Sequence, residues 1–175
     1  MTKKYLIILA VVAGLGLVAY TYMGGFTNVK VTQTTSTQLF IAGKYYEGKT
    51  DAEALGQVYQ EVGKAVEQKQ LTGDFAGIYY NNPSRDTKTI KAFIGVAVQD
   101  TTSLPAGFSV RVVPAGRPVL RGELDASITI APKRIYGALF DYEEEHNLKL
   151  KEFYVERFPE DQPATIEVEI AQPQK

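Results

Sequence analysis

Two stretches decide the fold: Gly77-Ile78-Tyr79-Tyr80-Asn81-Asn82-Pro83 and Glu152-Phe153-Tyr154-Val155-Glu156-Arg157-Phe158-Pro159. Each is an aromatic run that reads as a strand, followed by a polar turn containing proline. Each follows a stretch with helical spacing. Before the first, Leu55, Val58, Tyr59, Val62, Ala65 and Val66 recur on one face, which predicts a helix from Asp51 to about Gln68. Thr50-Asp51-Ala52-Glu53 in front of it has the form of a capping box. Before the second, Pro132 suits a first helical turn, and Ile135, Leu139, Tyr142 and His146, with Tyr136 and Phe140, mark one face.

Working outward, strands are expected near Val29–Thr34, Leu39–Tyr45, Phe75–Tyr80, Lys91–Val98, Phe108–Val113, Val119–Ile130, Glu152–Glu156 and Ile166–Ile170, with Pro173 stopping the last. The two halves repeat one order: strand, helix, aromatic strand, last strand. This predicts an α+β fold of duplicated βαββ units, with the helices on one side and a groove between the units.

Ahead of this lies a different kind of segment. Tyr5 to Met23 contains no charged residue and follows Lys3 and Lys4. As a helix it would reach about 28 Å, close to a bilayer core of about 30 Å. Tyr5, Tyr20 and Tyr22 sit near its ends, where amphipathic rings favour the headgroup level. The end of the run carries no clear small-x-small cleavage pattern, so an uncleaved anchor is favoured over a signal peptide. The expected division is an anchor at residues 1–25 and a small-molecule-binding domain at residues 26–175. Two lysines before the segment, against Lys30 after it, place the N-terminus in the cytoplasm and the domain outside.

Composition narrows the chemistry. The chain has 175 residues, 45% hydrophobic and 22% charged, with 19 basic and 20 acidic residues. That balance carries no basic footprint for nucleic acid, so no nucleic-acid partner is expected. There is no cysteine and one histidine, which excludes disulfides, thiol catalysis and Cys- or His-rich metal cages. No metal or cofactor is expected. Gly43 to Thr50 satisfies G-x-x-x-x-G-K-T. However, its interior Lys44-Tyr45-Tyr46-Glu47 is bulky and puts an acid where phosphates would sit.

The fragment Phe75 to Pro83, with Lys91-Ala92-Phe93-Ile94-Gly95-Val96-Ala97-Val98, is similar to the central block of the GyrI-like, or bacterial effector-binding, superfamily. Ile41 to Gly48, Phe153-Tyr154 and Ile166-Glu167-Val168 resemble its first, tyrosine and final strands, so the resemblance spans about Val29 to Pro173. It implies a ligand groove lined by aromatics and a buried carboxylate facing a cationic or polar ligand. Members include effector domains of transcription regulators, gyrase-protecting proteins and hydrolases of cyclopropanone-type compounds.

The candidate ligand-binding residues are Tyr45, Tyr79, Tyr136, Tyr154 and Glu167. Tyrosine offers a π-face to a cation and a hydroxyl for orientation, and Tyr79 and Tyr154 match across the duplication. Adjacent strand residues face opposite ways, so at most one of Tyr45/Tyr46 and one of Tyr79/Tyr80 can face the groove. Glu167 matches the glutamate of the family's last strand, where desolvation would make it a counter-charge or a general base. The alternation Ile166-Glu167-Val168-Glu169-Ile170 also fits a solvated strand face. The expected function is a membrane-anchored sensor or scavenger of a small lipophilic or cationic molecule. The alternatives are a hydrolase using Glu167 as base and a membrane-linked scaffold.

Overall fold

The computed structural model describes residues 2–84 and 88–171; the stop expected at Pro173 lies outside them. Helix α1 spans Thr2–Tyr22. Strands β1 (Lys30–Thr35) and β2 (Leu39–Lys49) lead to helix α2 (Glu53–Glu67), then β3 (Asp74–Tyr79) and β4 (Thr89–Val98). The order repeats with β5 (Ser109–Val113), β6 (Pro118–Leu124), α3 (Ala131–Glu145), β7 (Leu150–Phe158) and β8 (Ala164–Ile170).

All eight strands form one sheet in the order β1-β6-β8-β7-β3-β4-β2-β5, antiparallel throughout. The duplication is visible in that order. From the centre, β3-β4-β2 runs one way and β7-β8-β6 the other. Each half's first strand crosses to the opposite edge: β1 pairs with β6, and β5 with β2. The repeat is therefore ββαββ with exchanged edge strands, and that exchange ties the halves together. The helices match too. Each is 15 residues long, and each is followed at the second position beyond its end by a residue with positive φ, Lys69 at 56° and Asn147 at 50°.

Both helices pack on the same sheet face. Val62 and Ala65 of α2 and Ile135, Tyr136 and Leu139 of α3 join one core with Ala42, Ile94, Val96, Leu120, Ile166 and Val168. The other face carries a smaller cluster of Ile41, Ile78, Phe93, Val113 and Val155. Arg111 lies over the Phe93 ring there at 5.3 Å. Gly122 lets α3 approach, since a Cβ at this position would run into the Ile135 side chain.

Two local expectations are corrected. The capping box does not form: Ala52 is the N-cap and makes no side-chain cap bond. The Thr50 N–H donates to the Lys88 carbonyl, which prolongs the β2–β4 ladder and delays the helix. The strand expected over Val119–Ile130 ends at Leu124, because the next residues fold against the end of α1. The nucleotide-loop pattern at Gly43–Thr50 falls largely within β2, where Gly43 pairs with both Gly95 and Ser109. An extended, doubly paired strand cannot wrap its N–H groups around a phosphate.

Candidate functional site

Where the halves meet, the face of β3 and β7 lies open between α2 and α3. The resulting cavity has a volume of about 660 Å³, within the usual range for small-molecule sites of about 300–1,000 Å³. Its floor is Gly77, Tyr79, Ile94, Glu156 and Phe158, and its walls include Tyr59 of α2 and Pro132 and Tyr136 of α3. The register places these residues together: Gly77 lies opposite Glu156, and Phe75 opposite Phe158. A side chain at Gly77 would crowd the Tyr79 ring, so the glycine keeps the floor above Glu156 clear.

Glu156 is 6% exposed. The Tyr136 hydroxyl donates to its Oε1 at 2.8 Å. The Tyr79 hydroxyl also bonds this carboxylate and is 3.0 Å from the Tyr59 hydroxyl. Burial pushes the Glu156 carboxyl up to about 7, and the two tyrosine hydrogen bonds restrain the rise. Burial, and then the nearby Glu156 charge, hold Tyr79 and Tyr136 well above the ordinary tyrosine value, so both remain donors. No cation is paired with Glu156 among the described salt bridges. The arrangement is an aromatic-walled hollow with one carboxylate near half-ionisation at neutral pH. Such a site can balance a cationic ligand or accept a proton.

The structure brings together Tyr79 and Tyr136 of the sequence candidates. Tyr154 is buried against Tyr136, ring centroids 5.7 Å apart and edge to face, and supports the cavity without lining it. Tyr45 lies on the opposite sheet face, 49% exposed, and its hydroxyl donates to Glu47 at 2.8 Å. The sheet-face rule explains this: Tyr46, its neighbour, takes the helix-side position and is buried. Glu167 is also on the opposite face, in register with Val155 and Arg121. Arg121 donates to Glu167 Oε1 through Nε at 2.8 Å and a terminal nitrogen at 2.6 Å, so this carboxylate has its counter-charge. His146 is the C-cap of α3 and stacks on Tyr142.

Glu156 is the site residue that the sequence reading passed over. Its signal was present: in a strand where Tyr154 faces the helices, Glu156 and Phe158 at alternate positions must do so too.

A model of a family described as integron-associated effector binding protein, Cass2, matches residues 34–172. Several solved structures share the fold. The EcmrR C-terminal domain is 13% identical at a TM-score of 0.58, covering 82% of this chain and 98% of its own. An integron cassette protein from Vibrio cholerae is 15% identical at 0.57, covering 83% and 97%. SAV2435, solved bound to tetraphenylphosphonium, is 13% identical at 0.55, covering 83% and 94%. No curated protein matches the chain in sequence.

Proposed function

The chain belongs to the family of integron-associated effector binding proteins, a GyrI-like effector-binding domain, and from that premise we propose that it is a membrane-anchored receptor for a small lipophilic cation. The observation that carries the ligand class is Glu156: a carboxylate sealed among aromatic rings, held by two tyrosine hydroxyls and facing a cavity. A delocalised organic cation would supply the missing positive charge at a lower dehydration cost than a metal or ammonium ion. Each ring it faced would add about 0.5–2 kcal/mol. Tetraphenylphosphonium in SAV2435 is a ligand of this chemistry in a protein of this fold.

Tyr79 and Tyr136 would orient the carboxylate and face the ligand, with Tyr154 bracing Tyr136. Tyr45 and Glu167, on the far face, would play no part in this site. The anchor would be α1, whose span Lys3–Tyr22 is long and apolar enough to cross a bilayer and is not buried in the protein. Lys3 and Lys4 would hold the N-terminus in the cytoplasm, with the domain on the other side.

The test is equilibrium binding of tetraphenylphosphonium to the detergent-solubilised full chain by titration calorimetry. Saturable 1:1 binding is expected, weakened about 10- to 100-fold by Glu156→Gln, the magnitude of one charge-assisted buried contact. Binding unchanged by Glu156→Gln would sink this reading.

A second reading rests on the same carboxylate. With a carboxyl at about 7 beside a tyrosine hydroxyl donor, Glu156 could serve as the general base of a hydrolase. Turnover of a strained cyclic ketone that disappears in Glu156→Gln, while neutral analogues still bind, would favour it over the receptor.

A further inference from the structure

The end of α1 is bolted to the domain at the segment that forms one lip of the cavity. The Ser127 N–H donates to the Met23 carbonyl at 3.0 Å. The Arg134 guanidinium donates to the Gly24 and Gly25 carbonyls at 3.2 and 2.8 Å. Gly24 has a φ of 79°, and a side chain there would collide with Asp125 and Ala126. The residues next to these contacts line the cavity: Ile128 beside Ser127, and Pro132 and Lys133 beside Arg134.

Length fixes where this joint sits. The 18 uncharged residues of α1 from Tyr5 to Tyr22 rise about 27 Å as a helix and so use up nearly all of the hydrocarbon core. Met23 to Gly25 then fall in the headgroup layer, which is about 5–8 Å thick on each side. Ser127 and Arg134 are hydrogen-bonded to them and share that level. The surface here suits such a layer. Ile128 is 55% exposed and Phe26 62% exposed, while Lys133 is exposed at the cavity lip. Exposed apolar groups beside basic ones are what a lipid interface accommodates.

We propose that the cavity is loaded from the bilayer: an amphiphilic organic cation already partitioned into the lipid enters over the Ile128–Lys133 lip without first returning to bulk water. This rests on reading α1 as an anchor and the cavity as the effector site.

The route is a kinetic property, so the test is a rate. Two chains are reconstituted in phosphatidylcholine vesicles: the full chain, and the same chain with ten Gly/Ser residues inserted between Tyr22 and Met23. The insertion releases Met23–Gly25 from the last turn of α1, keeps their bonds to Ser127 and Arg134, and spaces domain and lip together from the helix by about 18 Å root-mean-square. Association is followed by stopped-flow tyrosine emission for dodecyltriphenylphosphonium and ethyltriphenylphosphonium at equal aqueous concentration. They share a headgroup and differ in membrane partitioning.

The expected result is that the dodecyl probe binds the full chain about tenfold or more faster than the lifted chain, because the bilayer concentrates it at the lip. The ethyl probe should bind both at similar rates, and equilibrium affinity should be alike in both chains. Equal dodecyl rates in the two chains would overturn the inference while leaving the receptor standing. No equilibrium binding of either probe would overturn the receptor with it. A full chain that fails to float with the vesicles would overturn the anchor.

Discussion

Glu156 is kept at a cost to stability, and that cost has a pH window. Its carboxyl sits at about 7 in the folded chain against an ordinary value of 4.5. Below about 4.5 it is neutral in both states and costs nothing. Between 4.5 and 7 the unfolded chain ionises while the folded one does not, so stability falls as pH rises, by up to about 3 kcal/mol above 7. Thermal melts should therefore show Glu156→Gln stabilising the ligand-free protein at pH 8 and close to neutral at pH 4.5. A variant destabilised at pH 8 would mean the charge is not strained. The same titration governs the ligand: affinity for an organic cation should fall about tenfold from pH 8 to pH 6 as the carboxylate is neutralised. Much of this was within reach of the sequence. Tyr154, Glu156 and Phe158 alternate along one strand, and alternation alone puts them on one face. What the sequence hid was partnership. Glu167 and Glu156 look alike in one dimension; only the cross-strand register gives Arg121 to the first and leaves the second among tyrosines.

At the scale of elements, the cavity exists because α3 is seated closely enough to bring Tyr136 over Glu156. Gly122 permits that seating, and Gly122→Val should push α3 away from β6. We expect a loss of about 1–3 kcal/mol in denaturant unfolding and weaker cation binding. A stable variant with unchanged affinity would refute Gly122's role. The two helix ends make a second prediction. Asn147 tolerates its positive φ, but Lys69 holds the same conformation with a longer side chain. Lys69→Gly should stabilise the protein by up to about 1 kcal/mol, read as a higher urea midpoint. Helices and strands were legible because their periodicities are clean and proline and glycine punctuate them. The failures lie at the joints. Thr50 looked like a cap but serves the β2–β4 ladder, and the end of Val119–Ile130 turned away from the sheet to meet α1. Both depend on contacts from distant parts of the chain, which no local pattern carries.

At the scale of the whole molecule, duplication explains both the strength of the scaffold and the place of the site. The exchanged edge strands β1 and β5 join the halves, and the cavity lies over the central β3–β7 seam, lined from both helices. The repeat was readable from Tyr79 and Tyr154; the exchange was not, because nothing in β1 or β5 says which edge it will join. The proposed anchor gives a further expectation. The full chain should float with lipid vesicles and residues 27–175 should not; flotation of that fragment would show that the surface around Ile128 and Lys133 suffices for membrane binding. The most direct test of the central claim is proton release on binding. Calorimetric titration of tetraphenylphosphonium at pH 6.5, in two buffers of different ionisation enthalpy, reports the protons displaced. A cation that binds against Glu156 drives its ionisation, so most of one proton should leave at pH 6.5, little at pH 8.5, and none in Glu156→Gln. Binding with no proton release at pH 6.5, or release that persists in Glu156→Gln, would contradict the account.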